Sequence, residues 1–350
     1  ADYLLKDIFA QVEVNRDIVI FDEIQQCPPA LTSLKYFNEE LPTLAICCAG
    51  SHLGIALSNN SYPVGSVDTL HLYPFSFREF LCAAEPQLFE LAWRNPSVPP
   101  TDGFIHNRLL LELRNYFVTG GLPEVVAQYV LQKDKPVNAF AQARRLQKSL
   151  TDGYGSDFSK HAGKENANHL HRLFENIPSQ LSREVDGSTK RFQFKGVIPG
   201  KTKYAQLESA IDWLVKAGLV LPTHIVERPQ IPLKSFSKDN RFKLYLFDTG
   251  ILGCLLDIPP ASIIQHDYGL VKGFFVENFV AQEFAASNAG KLYSWSGRTS
   301  EVEFLRTHQG MIVPVEVKSG SKNWSRSLQV YSQKHAPPMK AMLTANPFKK

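Results

Sequence analysis

Short apolar runs alternate with longer stretches of helical spacing, and their order predicts a mixed α/β protein. The segment Asp17-Ile18-Val19-Ile20-Phe21-Asp22-Glu23-Ile24-Gln25 sets four apolar, mostly β-branched residues ahead of two adjacent carboxylates. Such a run reads as a buried central strand of a parallel sheet, delivering acids to the carboxyl edge where α/β ligand sites lie. Asp22 and Glu23 then belong either to a magnesium site or to a polar turn that ends a core strand. Pro28-Pro29 breaks direction, and Leu31, Leu34, Tyr36, Phe37 and Leu41 mark a short amphipathic helix that Pro42 ends. Residues 44–49 predict a second buried strand closing on Gly50-Ser51, with Ser51 either near the same edge or a plain turn residue. A polar loop follows at 59–64, a third strand at 69–73, and a helix start at 74–80.

Helices are predicted at 88–93, 104–117, 124–131, 139–150 and 168–181, with breaks at 96–100 and at Gly120-Gly121. Gly, Asp and Ser around 151–159 predict a hinge loop, and its aromatic and basic residues (Tyr154, Phe158, Lys160, His161) form no regular stripe. In 202–218, Tyr204, Leu207, Ile211, Leu214 and Val215 share a helical face; Thr202 can cap the start and Gly218 sits where a helix stops. Strand-like segments at 219–226 and 242–247 flank a Pro-rich, basic loop, which is the layout of a winged helix. Lys201, Lys203, Lys216, Lys238 and Arg241 are candidate DNA contacts. Glu208 and Asp212 leave that helix face close to neutral, which favours a protein-docking or structural wing over DNA contact.

Residues 271–286 predict a helix with an apolar stripe of Phe275, Phe279 and Val280, which Glu277 borders. A carboxylate there needs a partner. Downstream, 301–305 alternates polar and apolar, Gly310 turns the chain, and 311–318 runs back. Period two puts Glu301 with Glu303, and Glu316 with Lys318, on shared faces. Glu303, Glu316 and Lys318 can then meet, the acids holding a divalent ion and the lysine orienting water. Pro314 implies a bulge or an edge.

The chain has 350 residues, enough for two or three domains, with 44% apolar and 21% charged residues and a net charge of +4. That charge permits a nucleic-acid partner without arguing for one. Five cysteines without paired metal spacing fit a reduced cytosolic compartment, so a cytoplasmic location is expected. No signal peptide or membrane-length apolar run is present in the sequence, and no membrane partner is expected. The chain opens at Ala1 in a helix-like pattern and closes on Phe348-Lys349-Lys350; both ends are expected to be cut relative to a longer product.

The ordered segments IVIFDEIQ, AICCAGS, YPVGSV, LHLYPFSFREFL and YFVTGGLPEVV resemble one group of prokaryotic AAA-type ATPases. Those proteins join a P-loop ATPase module to a winged helix and a nuclease-like domain. The resemblance implies an α/β fold in four parts. These are an incomplete P-loop ATPase parallel sheet (1–80), a helical lid (81–180), a winged helix (181–258) and a PD-(D/E)xK restriction-endonuclease-like domain (259–350). It makes Asp22 and Glu23 the Walker B pair, with Asp22 at Mg, Glu23 polarising water, and Ser51 at the sensor position. It places Glu277, Glu303 and Glu316 at a metal site, with Lys318 catalytic in the Glu316-Val317-Lys318 signature. The cofactors implied are ATP and Mg in the complete protein, and Mg or Mn at the nuclease-like site. The partners implied are DNA, or another protein through the winged helix.

Three departures qualify it. Ser66 stands where relatives commonly carry a basic residue, and Glu303 where they usually carry Asp. The 21 residues before Asp22 hold no Walker A motif. Gly196-Val197-Ile198-Pro199-Gly200-Lys201-Thr202 imitates one but has three residues, not four, between its glycines, and Pro199 removes an amide. A turn is expected there. With no amide cradle for β- and γ-phosphates, these residues alone should not bind ATP tightly. The function classes left open are an ATPase, a metal-dependent DNA nuclease, and a non-enzymatic remnant or scaffold. Arg78 is the sequence's nearest approach to an arginine finger, and a helix-surface residue on its pattern.

Overall fold

Strand β1 (Ile18–Phe21) pairs in parallel with β2 (Ala45–Cys48) through the crossover helix α1 (Pro28–Glu40). Prolines begin α1 because the first-turn amides have no intrahelical partner to lose. Leu31 and Leu34 from α1 join Ile24 in a small core, packed on Phe21, Ile46 and Cys48. The computed structural model describes residues 12–13, 15–50, 65–93, 103–162, 164–183, 191–287, 290–298 and 300–347, and divides at Ala1–His71 and Leu72–Lys350.

The expectation of a buried central strand is corrected here. Among the described residues β1 has one neighbour, and its second face is bare, with Ile18 58% and Ile20 64% exposed. A parallel strand is apolar on both faces because both are normally covered; α1 covers only one. Among the described residues no strand forms at 69–73, and Leu70 and Leu72 lie exposed. Ser51 and the 59–64 loop fall outside the described residues.

From Leu72 onward, helices lead. A capping box at Ser76 and Glu79 starts α2 (Phe77–Ala84). It is followed by α3 (Pro86–Trp93), α4 (Gly103–Thr119), α5 (Pro123–Gln132), α6 (Pro136–Ala162) and α7 (Lys164–Arg183). The hinge expected at 151–159 is instead the second half of α6. Tyr154 and Phe158, one turn apart, pack edge-on to Phe174 of α7, and Phe158 is 1% exposed. Burying such rings is worth roughly 2–3 kcal/mol each, which outweighs about 1 kcal/mol for each helical glycine. Gly155 also admits α7 closely: a β-carbon there would stand 3.3 Å from His171.

Residues 196–201 form a turn closed by the Ile198–Lys201 bridge, as expected. The helix expected at 202–218 is split into a 3-10 turn (Tyr204–Gln206) and α8 (Glu208–Lys216), because Gln206 Oε1 accepts from the amides of Thr202 and Lys203. Gly218, at φ +73°, does stop it. Next come β3 (Val220–Val226), β4 (Ser237–Leu246), α9 (Thr249–Leu255), α10 (Pro260–Ile264) and α11 (Lys272–Ala286). The chain finishes with β5 (Leu292–Ser296), β6 (Glu301–His308), β7 (Met311–Val317), α12 (Arg326–His335) and β8 (Ala341–Leu343).

The β3–β4 hairpin belongs to the same six-stranded sheet as the later strands, in the order β4-β3-β5-β6-β7-β8. The β6–β7 turn is two residues, Gln309 and Gly310, both at positive φ, which suits the right-handed strand twist. Pro314 sits in register opposite Leu305, and β8 opposes only Val315–Val317, so at Pro314 strand β7 is locally an edge. One apolar core runs from Phe80 and Tyr116 through Phe275 to Phe304. A smaller one, with Trp295, Val302, Leu305 and Tyr331 of α12, covers the other sheet face. Residues 81–180, 181–258 and 259–350 thus share a core.

Candidate functional sites: an exposed acid pair and a buried carboxylate–lysine cluster

β1 ends by delivering Asp22 and Glu23 to the carboxyl edge of the parallel pair, where both are exposed. Ala49 N donates to Phe21 O at 2.9 Å and Ile24 N to Ala49 O at 3.1 Å, so the end of β2 holds the acid turn from both sides. Asp22 Oδ1 accepts from Glu23 N at 3.0 Å, and Gln25 Nε2 donates to Glu23 Oε2. Glu23 itself adopts φ +50°, the left-handed region that costs a non-glycine residue about 1 kcal/mol. Strain of this kind concentrates at functional turns.

The second group lies on the sheet face under α11. Glu277 (α11), Glu303 (β6), Glu316 (β7) and Lys318 come together there. Lys318 Nζ lies 2.6 Å from Glu316 Oε1 and 3.8 Å from Glu303 Oε1. Glu303 Oε2 accepts from Val317 N at 3.2 Å, and Ser325 Oγ donates to Glu316 Oε1 at 2.6 Å. Burial, then the neighbouring Glu277 and Glu316, push the Glu303 carboxyl well above the usual range. Burial pulls the Lys318 ammonium down, but Glu303 and Glu316 outweigh it and hold Lys318 above its ordinary value.

Sequence reasoning missed Lys243 and Tyr245 of β4. Lys243, 4% exposed, places Nζ 2.5 Å from Glu301 Oε1 and 3.6 Å from Glu277 Oε2, and Tyr245 Oη donates to Glu277 Oε2 at 3.0 Å. The available signal was a lysine and a tyrosine at period two inside the apolar run Phe242–Phe247, where a charge needs a partner.

Glu316 Oε2 is buried without a hydrogen-bond donor, the kind of atom a cation satisfies. Yet among the described residues no three His, Cys, Asp or Glu side chains converge as a metal-ligand set. Two ammoniums already hold the carboxylates, and in this arrangement the residues present do not fit a divalent ion.

Two of the candidate DNA contacts have partners within the chain. Arg241 is paired with Glu227, and Lys201 Nζ lies 3.2 Å from His169 Nδ1. Lys203, Lys216 and Lys238 are exposed. No described helix is long and apolar enough to cross a membrane.

Comparison with known protein families matches three segments of the chain. Residues 1–81 match the AAA domain family, 110–262 a domain of unknown function (DUF8612), and 272–346 another domain of unknown function (DUF4143). The amino-terminal match supports an AAA, ATPase-like family. No curated protein matches the chain. Among solved structures, the Walker-type ATPase of Pyrococcus abyssi is similar at 16% identity and a TM-score of 0.42, over 68% of this chain. The chain spans 63% of that protein's length.

Proposed function

We propose that the chain is part of an AAA-type ATPase in which Asp22 holds the magnesium shell and Glu23 polarises the attacking water. The observation that carries this is the acid pair itself. Two carboxylates stand exposed at the carboxyl edge of a parallel strand pair, inside the segment that matches the AAA domain family. In this reading nucleotide state biases the modules that follow, namely the helical segment, the winged-helix-like hairpin unit and the PD-(D/E)xK-like carboxyl part. Because no phosphate cradle is encoded in these 350 residues, they hold the hydrolytic half of the site. The test is Mg·ATP turnover by the full-length gene product carrying this chain. Glu23→Gln should abolish turnover with binding retained, and undiminished turnover in that variant overturns the assignment.

A second reading concerns the carboxyl part alone. We infer that it keeps a nuclease-like arrangement without cutting DNA. The pairing of both lysines to the carboxylates supports this, since it leaves no converging ligand set among the described residues. Incubation with DNA and Mg²⁺ or Mn²⁺ should give no cleavage. Cutting that disappears with Lys318→Ala and Glu316→Ala would return the module to the metal-dependent nucleases.

A further inference from the structure

We propose that Lys243 is the resident cation of the carboxylate cluster, taking the charge-balancing place of a divalent ion and clamping the β3–β4 hairpin to the carboxyl-terminal sheet. This rests on the non-cutting reading of that cluster. Lys243 is one of the most buried charged residues described, set between Phe242 and Leu244, which are 3% and 2% exposed. An ammonium there is tolerated only with close countercharges, and Glu301 and Glu277 supply them at 2.5 and 3.6 Å. The Glu301 contact is an ion pair without hydrogen-bond alignment.

The sheet is built to let the lysine reach. Strands β3 and β5 lie between β4 and β6. Thr223, directly opposite Lys243 on β3, pairs in turn with Leu292 of β5, and Ser294 lies two residues on, on the same face. Thr223 and Ser294 are small and fully buried, so they clear a path over the sheet face toward Glu301, which pairs with Ser296 on that face. Tyr245 follows the same face and donates to the Glu277 oxygen that Lys243 also approaches. The clamp crosses the two matched segments: Lys243 and Tyr245 lie in 110–262, Glu277 and Glu301 in 272–346. Lys318 balances the other end, on Glu316 and Glu303. Lys243 and Lys318 thus set two ammoniums among the four carboxyl groups of Glu277, Glu301, Glu303 and Glu316.

The test is thermal unfolding of the full chain with and without Mn²⁺, for the wild type, Lys243→Met, Lys243→Arg and Lys243→Met/Glu301→Gln. The wild-type Tm should move by less than about 1 °C at millimolar Mn²⁺. Lys243→Met should melt lower without metal and recover roughly 5 °C with it, the shift expected for an ion at ~100 times its Kd. Lys243→Arg should keep the wild-type indifference to metal, since it restores the cation. A wild-type rise equal to the variant's, or a folded Lys243→Met that ignores Mn²⁺, overturns the proposal. If Lys243→Met does not fold, the double variant decides, because it removes both partners of the closest pair. With both charges of that pair gone the balance is restored, so indifference to Mn²⁺ there supports the proposal and a gain of roughly 5 °C sinks it. DNA cleavage is scored separately: cutting alongside the predicted Tm pattern faults the non-cutting reading alone.

Discussion

The two acid groups of this protein use the same side chains to opposite ends. Asp22 and Glu23 stand in water at the end of a two-stranded ribbon, while Glu303 and Glu316 are 8% and 0% exposed and tied to lysines. The exposed pair is held within its own turn, Asp22 by the Glu23 amide and Glu23 by Gln25. The buried group is committed to the fold, because each charge there is tolerable only while its partner stays. Residue type alone therefore does not separate a reactive acid from a structural one; burial and countercharge do.

The widest gap between the two regions should appear in stability. Glu316→Ala leaves Lys318 and Glu303 without their central partner and should cost about 3–5 kcal/mol, the range for breaking a buried ion pair. Urea denaturation of the full chain reads this directly, and a loss below about 1 kcal/mol would mean the cluster is not structural.

A second buried junction in the same unit should be nearly as sensitive. Asp248 is fully buried at the start of α9, where its carboxylate accepts from Gly121 N at 2.7 Å and Ile251 N at 2.9 Å. A β-carbon on Gly120, at φ +70°, would stand 2.2 Å from Asp248 Oδ1. Gly120→Ala combines left-handed strain with overpacking and should cost roughly 3 kcal/mol. An unchanged denaturation midpoint would contradict this packing.

A smaller effect depends on pH. Glu283 accepts from Phe77 N at 2.7 Å, joining α11 to the start of α2, and burial pushes its carboxyl up to about 7. The folded state then holds this proton more tightly than the unfolded chain, whose glutamate titrates near 4.5. Its stabilising contribution is complete below that lower value and is lost as pH rises through about 7. Glu283→Gln should flatten the fall in Tm across that window, by the equivalent of roughly 1–2 kcal/mol after allowance for partial exposure. An equally steep profile in the variant would assign the pH dependence elsewhere.

At the exposed pair the expected stability changes are smallest. Asp22→Asn and Glu23→Gln should each stay within about 0.5 kcal/mol of the wild type. Glu23→Gly should stabilise slightly, by up to ~1 kcal/mol, because it relieves the left-handed backbone. Loss of several kcal/mol in any of the three would mean the acid turn is structural after all.

How much was legible in the sequence follows the same division. The paired acids after an apolar run, and the Glu316-Val317-Lys318 alternation, were readable because strand period two and segment order are local. Glu277 was readable as a carboxylate at the border of an apolar stripe. Lys243 was not, because its partners lie 34 and 58 positions downstream and only the sheet order brings them over β3 and β5. The hinge expected at 151–159 failed for a related reason: local glycines argued for a loop, and distant aromatic packing at Phe158 overrode them. The apolar run at β1 was legible as a strand, but the number of its covered faces was not. Whether a second layer lies over Ile18 and Ile20 is settled by neighbours, not by their own side chains.

The measurement closest to the central claim is steady-state Mg·ATP turnover per folded molecule, compared for Glu23→Gln and Lys318→Met in the full-length gene product. The account predicts that Glu23→Gln loses about 100-fold or more in turnover at an unchanged Tm. Lys318→Met should lower the Tm while its folded fraction turns over normally. Turnover that survives Glu23→Gln, or falls with Lys318→Met at constant folded fraction, would contradict it.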